Sequence, residues 1–548
     1  MRIRAIALAT AVACAVSSAP ALAANASTYY STKQHYEPQG SVYAEAPAGF
    51  HQIYTSTVNR HGSRGLSSFK YDDLAQQMLE YAKEHDQLTE LGEKLIPQVE
   101  AMISVNKELA GGTGQEAGYG NLTVVGREEL EGIGQRNAQR NSALMDRIEN
   151  DDLKVKYISS GEDRANDSGW NFGNAWLSEN PKLSDNLVDG MEDGHVTIEA
   201  RTDLMYAHKD KNAPSYEKYS QWKDSETLDS KVKEAYAKPA SQTAARNLLN
   251  KIFADDFITA LEDGSISFVG REKDDKTVEG IVDAALQFYN LYIIAPALAH
   301  EEKTPAEGWI FDQYMDEASG PTFAYLLDVE DYYQKGPAIE GQTVAYDNYE
   351  PLLKEMIQGV KDRAEGGDIA AEYRFGHAET IIPLAALLKL PGSEKGIPAD
   401  ELYSWENSDW RGDKVAPMGA NIQWDAFQTS TERRSCACCT TRRKSPSTTV
   451  VSPLLRGRRS TPSMSFPSVC HLAQRRITPR PVSRMIRIMT TRSRHRLVPC
   501  PPRPRCGVLS LRSLAHWQSL SVPLLLTQSR LRASSINMES TCPFKLRT

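Results

Sequence analysis

The sequence predicts an α/β fold: a central, mostly parallel sheet flanked by helices, with a mainly helical domain inserted into it. Two observations predict it. Three short runs of strand character each break into a polar loop, and the long stretch between the second and third carries helical spacing of apolar residues.

Residues 50–58 (FHQIYTSTV) alternate and are rich in aromatic and β-branched types, which suits a strand. A second strand fits residues 156–159, running into SSGEDRANDSG. A third fits residues 371–375, followed by the helical HAETIIPLAALLKL, which stops before Pro391 and Gly392. Strands so far apart in sequence can share one sheet, and in such sheets ligand sites lie beyond the carboxyl ends of the strands. The intervening SKVKEAYAKPASQTAARNLLNKIFADDFITALEDG and EGIVDAALQFYNLYIIAPALAHEE read as helices. The expected division is a leader at 1–23, an α/β domain at 24–165 and 346–432, a mainly helical insertion at about 166–345, and a disordered tail at 433–548.

The leader has Arg2 and Arg4, an Ala/Val/Leu run, and Ala21-Leu22-Ala23 as a cleavage site. It reads as a secretory signal too short for a stable membrane span, so a secreted or cell-surface protein is expected. Cys14 could be a lipid acceptor, but Ala11 suits that poorly, and an ordinary apolar-region cysteine is the simpler reading. The body from Ala24 to Glu432 contains no cysteine, so disulfides cannot stabilise it.

The net charge of -8 is an average of two unlike parts. From Arg433 to Thr548 there are 23 Lys+Arg and one acidic residue, Glu539; the remainder holds 40 basic and 70 acidic residues. The body is thus near -30 and the tail near +22. Seven of the 8 cysteines lie in the tail, while all 23 tyrosines end at Tyr403. A nucleic-acid-binding tail normally uses Lys freely, and this one has only Lys444 and Lys545, so no nucleic-acid partner is expected.

After the first strand comes Arg60-His61-Gly62-Ser63-Arg64. A neutral imidazole can attack phosphorus in line, and flanking guanidiniums can clamp the equatorial oxygens by bidentate contacts. Taken singly, the motif also fits a turn with two solvated arginines. Gly62 is expected to let the backbone pass close to a phosphate. Arg164, in SSGEDR, is alone an unremarkable loop arginine beside Glu162 and Asp163. In RFGHAET, His377 and Glu379 open a helix, where Glu379 alone could serve merely as a helix-terminal residue.

Together, RHGSR, SSGEDR and FGHAET resemble the histidine phosphatase clan, second branch. The His-Ala-Glu triplet resembles the multiple inositol polyphosphate phosphatase (phytase) group, whereas other members of the branch commonly have His-Asp. LTVVGREELEGIGQR, YLLDVEDYYQKGP and WRGDKVAPMGANIQW extend the likeness over residues 30–427. The absence of cysteines found in animal relatives fits a bacterial-type member. The resemblance implies His61 as nucleophile, Arg60, Arg64 and Arg164 as phosphate ligands, His377 as a donor to phosphate, and Glu379 as the acid that protonates the leaving alkoxide. It implies a secreted phosphomonoesterase acting on phytate and other inositol polyphosphates, with no metal or organic cofactor. HExxH and similar ligand spacings are absent from the sequence. A broad-specificity acid phosphatase and a non-catalytic phosphate-ligand binder are the alternatives. Because the body is acidic, attraction of a polyphosphate must come from a local cationic cleft, which Lys209 and Lys211 could extend, though a solvated loop is their simpler reading.

Relatives continue after ANIQW into a returning strand of the type V-R-L-L-Y-N-E-K-E-V, but here SCACCTTRRKSP follows. Read from the third base of the Ser435 codon, Cys436 to Thr441 permit Val-Arg-Leu-Leu-Tyr-Asn, and AGR codons at Arg442 and Arg443 permit the remainder. A frame slip near Gln428 is therefore expected, leaving ANIQW with an unpaired edge and a tail unable to cover it.

Overall fold

The computed structural model describes residues 29–38, 46, 49–271, 277–429 and 449–456. The leader and most of the tail, including the expected frame slip, lie outside these residues. Six strands form the main sheet: β1 (Phe50–Arg60), β2 (Lys154–Ser159), β3 (Glu199–Ala200), β4 (Ile369–Gly376), β5 (Asn421–Thr429) and β6 (Thr449–Arg456). Their order is β6-β5-β1-β4-β2-β3. β1, β4, β2 and β3 run parallel, while β5 is antiparallel to β1 and β6 to β5.

The parallel strands are buried on both faces, which is why β4 reads IAAEYRFG, nearly without exposed positions. Its charged residues survive burial because they satisfy one another. Arg374 donates to Glu372 (2.9 Å), Glu355 (2.7 Å) and Ser56 (2.7 Å), and the Tyr54 hydroxyl donates to Glu372. Register aligns Arg60 of β1 with Gly376 of β4, and Ser159 of β2 with Phe375, so three strands end level at one sheet edge.

On one face lie α1 (Val124–Arg140) and α2 (Asp163–Glu179), over Tyr157, Tyr373 and Phe375, with Phe172 and Trp176 fully buried between. Thr123 caps α1 by accepting from the Gly126 amide at 3.1 Å. On the other face lies the helical part. It combines Lys70–Glu84 and Glu90–Glu108 with helices after residue 200, through a core that includes Met78, Phe253, Phe288 and Tyr332. Gly280–Leu298 is apolar and long enough to cross a membrane, but most of it is buried in this core. α3 (Gly320–Lys335) and α4 (Ala378–Leu388) complete the elements that frame the strand ends.

Two expectations about boundaries differ from this arrangement. Most of α2 and all of β3 lie beyond residue 165 yet belong to the sheet layer, because α2 packs Phe172 and Trp176 on the sheet and β3 pairs with β2. The outer edge of β5 is also not bare. Thr449–Arg456 pairs with it, from Thr449 opposite Gln428 to Arg456 opposite Asn421. The Arg/Pro/Ser average of the tail concealed TVVSPLLR, a run with β-branched and aliphatic residues, and its Pro453 is tolerable because the strand is at the sheet edge.

Candidate active site

His61 follows β1 directly, and its amide donates to Gly376 O at 2.8 Å, tying the end of β1 to that of β4. Its ring is buried, with Nδ1 2.8 Å from Gly62 O. A carbonyl can only accept, so Nδ1 carries the proton and Nε2 keeps its lone pair. Burial, reinforced by Arg60, Arg164, Arg64 and His377, holds the imidazole well below its ordinary pKa and therefore neutral.

Gly62 has a different role from the one expected. A Cβ there would strike Gly126 O, and one on Gly126 would strike Ser63 O. The close approach is between the loop and the first turn of α1, with both glycines needed for backbone to meet backbone. Ser63 is locked from the same side, its amide donating to Glu129 at 2.7 Å and its hydroxyl at 3.0 Å.

Arg60 is anchored through Nη1, which donates to the carbonyls of Thr32 and Ala416. Arg64 donates from Nη1 to Gly65 O at 2.6 Å. Arg164, in the first turn of α2, reaches Glu162 at 3.1 Å and His377 Nδ1 at 3.3 Å. Each of these three arginines retains a buried Nε without a hydrogen-bond partner. Burial and mutual repulsion lower Arg64 to about 9, and burial lowers Arg60 to about 10, so both remain cationic at neutral pH. Unmatched cationic donors beside a neutral nucleophile form a site suited to an anion with several oxygens.

His377 sits at the β4–α4 junction, with its ring centroid 5.5 Å from that of His61. The Arg164 guanidinium can only donate to His377 Nδ1, which puts the ring proton on Nε2, 2.8 Å from Ser160 Oγ. Donation from His377 to a phosphate therefore requires exchange of one of these contacts. Glu379, in the first turn of α4, has Oε1 3.0 Å from Lys335 Nζ. Burial alone would raise this carboxyl, but Lys335, His208 and His377 hold it well below the usual range.

All five main-motif residues, Arg60, His61, Arg64, His377 and Glu379, together with Arg164, converge at the ends of β1, β2 and β4. Lys209 and Lys211 are exposed. From that segment it is His208 that packs into the site, against Tyr206 and His377, with Nδ1 2.9 Å from Tyr349 Oη and its pKa lowered to about 4 by burial. Two further lysines escaped sequence reasoning. Lys33, in the turn Ser31–Lys33, is lowered to about 7 by burial and by the charges of Arg60 and Arg64. Lys335 ends α3 within YLLDVEDYYQKGP, where Asp331 and Lys335 stand four residues apart, the spacing of a helical ion pair, which does not by itself point to the site. Among the described residues, no group of three or more His, Cys, Asp or Glu is placed to hold a metal ion.

A family model described as Histidine phosphatase superfamily (branch 2) matches residues 54–436. The chain is also similar to solved structures of the Bifidobacterium longum multiple inositol polyphosphate phosphatase. The complex with inositol hexasulfate is 32% identical, with 78% of this chain and 91% of that chain covered and a TM-score of 0.70. For the complex with phosphate the corresponding values are 32%, 78%, 92% and 0.71. Comparison with curated proteins returned no match. With the match covering more than half of the sequence, the chain belongs to the histidine phosphatase superfamily, branch 2.

Proposed function

We propose that this phosphatase removes phosphate from phytate and other inositol polyphosphates through a phosphohistidine on His61, and that it acts outside the cytoplasm. The observation that carries the reading is the set of three buried arginine Nε donors without partners around a neutral imidazole whose Nε2 lone pair is free for attack. The B. longum enzyme, named for inositol polyphosphates and solved with inositol hexasulfate, supports the substrate class. Lys33, lowered to about 7 beside Arg60 and Arg64, is a further amine that a bound anion would hold in its charged form, which supports a substrate with more than one phosphate despite the acidic body.

In the first step His61 Nε2 attacks phosphorus while Arg60, Arg64 and Arg164 hold the equatorial oxygens. The P–O ester bond breaks, and Glu379 gives its proton to the departing alkoxide. In the second step the Glu379 carboxylate takes a proton from water, whose oxygen attacks the phosphohistidine and releases phosphate and His61. Export rests on Arg2, Arg4 and the Ala21-Leu22-Ala23 site, and it predicts a mature chain beginning at Ala24.

The test is phosphate release from phytate and from an activated aryl phosphate, measured in excess chelator. Release from phytate at a rate comparable to the aryl ester supports the proposal. Release from the aryl ester alone would leave a broad acid phosphatase, and release from neither would leave a phosphate-ligand binder.

A further inference from the structure

Lys335 is the last residue of α3, and its side chain is only 8% exposed. Its Nζ lies 2.8 Å from Asp331 Oδ1, one turn back, and 3.0 Å from Glu379 Oε1. Asp331 is itself fixed, its second oxygen accepting from Thr32 Oγ1 at 3.1 Å. Farther along the same face of α3, Asp328 accepts from Ser31 Oγ at 2.5 Å and the Gly412 amide at 3.1 Å. α3 thereby clamps the Ser31–Lys33 turn, whose Thr32 carbonyl holds Arg60, while presenting one ammonium to Glu379. A buried lysine flanked by two carboxylates keeps its proton, so the nearer carboxyl feels a fixed positive charge.

We propose that Lys335, tethered by Asp331, is a positioning residue that orients the Glu379 carboxyl and sets the pH at which turnover loses its proton donor. The inference rests on the reading of Glu379 as the leaving-group acid. Paired with Lys335, that carboxyl is ionised in the free enzyme, so its proton must arrive with substrate. A phosphate monoester monoanion brings one. The proton passes from the phosphate oxygen to Glu379 and on to the ester oxygen as the P–O bond breaks. The monoanion and neutral His61 become the free alcohol and a phosphohistidine carrying the same net charge, with no proton taken from solvent. The negative charge of the bound phosphate raises the proton affinity of the neighbouring carboxyl, which makes the transfer to Glu379 favourable. The other groups facing Glu379 are His208, His377, Arg60, Arg64 and the phenols of Tyr206, Tyr219 and Tyr349. Lys335 differs from them in touching the carboxyl with a permanent charge.

The experiment is the pH profile of kcat on phytate for the full chain and for Lys335→Met, Lys335→Arg and Asp331→Asn. In Lys335→Met the alkaline limb should move up by about one pH unit or more, a tenfold change in the proton affinity of Glu379. Lys335→Arg should restore the wild-type limb. Asp331→Asn leaves the ammonium to Glu379 alone and should move the limb down. Kinetics on an activated aryl phosphate, which needs little protonation of its leaving group, should show neither shift. An unmoved limb in Lys335→Met would overturn the proposal, leaving Lys335 a structural role. If that variant is insoluble, Asp331→Asn decides, with a downward shift in favour and no shift against. Failure of the wild type on phytate would overturn the substrate reading and this inference together. Normal wild-type turnover with an unmoved limb would overturn this inference alone.

Discussion

The chemistry proposed for His61 depends on one short contact. Donation from Nδ1 to the Gly62 carbonyl leaves Nε2 unprotonated, and the surrounding guanidiniums oppose addition of a second proton. His61→Ala should lower kcat by on the order of 10⁴-fold or more, since the neighbouring imidazole of His377 has both nitrogens engaged, by Arg164 and Ser160; rapid-quench labelling should place phosphate on His61 in the wild type. The depressed pKa also has a sign that can be checked. A base whose pKa falls below 6.5 stays neutral as pH drops through that value, so kcat/KM for an activated aryl phosphate should not lose an essential base near pH 6.5. An acid limb centred at the ordinary histidine value would contradict the assignment. For Glu379→Gln, shape is kept but the proton is lost, and kcat on phytate should fall by about 10²–10⁴-fold. An aryl ester with a good leaving group should suffer much less, and equal losses on both substrates would remove Glu379 from the acid role. Of these residues, His61, Arg60, Arg64, His377 and Glu379 were legible because each lies in a compact motif. Lys33, His208 and Lys335 were not, because their proximity to the site arises from contacts between distant segments.

At the scale of elements, the site exists because three parallel strands end level and each hands the chain to a loop or helix start. β1 delivers His61, β2 leads through Ser160 to Arg164 in α2, and β4 delivers His377 at the start of α4. The position of the His61 loop is fixed by its approach to α1 at Gly62 and Gly126. Gly126→Ala puts a methyl group against Ser63 O, where no flexible side chain can yield, and should cost about 1–3 kcal/mol of stability. It should also lower activity by displacing His61. Thermal denaturation and phosphate release measured on the same preparation check both effects, and an unchanged melting temperature would show that the loop can shift freely. The sequence singled out Gly62 in RHGSR but gave Gly126, within LTVVGREELEGIGQR, no separate signal, and no sign that the two meet.

At the scale of the whole molecule, an acidic body surrounds a cationic cleft and is followed by a basic, cysteine-bearing tail. Thr449–Arg456 covers the outer edge of β5, so that edge has backbone partners although the expected returning strand is missing from the text of the sequence. The rest of the tail lacks the composition of a packed domain, and the expected frame slip predicts a difference among three versions of the protein expressed side by side. The chain as written should give low soluble yield, with seven cysteines among the many arginines of its tail. Deleting residues 433–548 should not rescue it, because deletion also removes β6 and bares the β5 edge. Restoring the other frame from about Gln428 should give the highest soluble yield and phytate hydrolysis, and equal performance by the chain as written would make the tail a genuine part of the protein. The sequence by itself determined the α/β class, six candidate site residues that the fold brings together, and the change of character after residue 432, because strand periodicity, compact motifs and composition are local properties of a chain. Only the tertiary structure decided that β3 belongs to the sheet, that residues 449–456 close its edge, and that α3 sets Lys335 against Glu379. Those depend on which distant backbone edges and side chains are buried together, and burial is a property of the folded molecule.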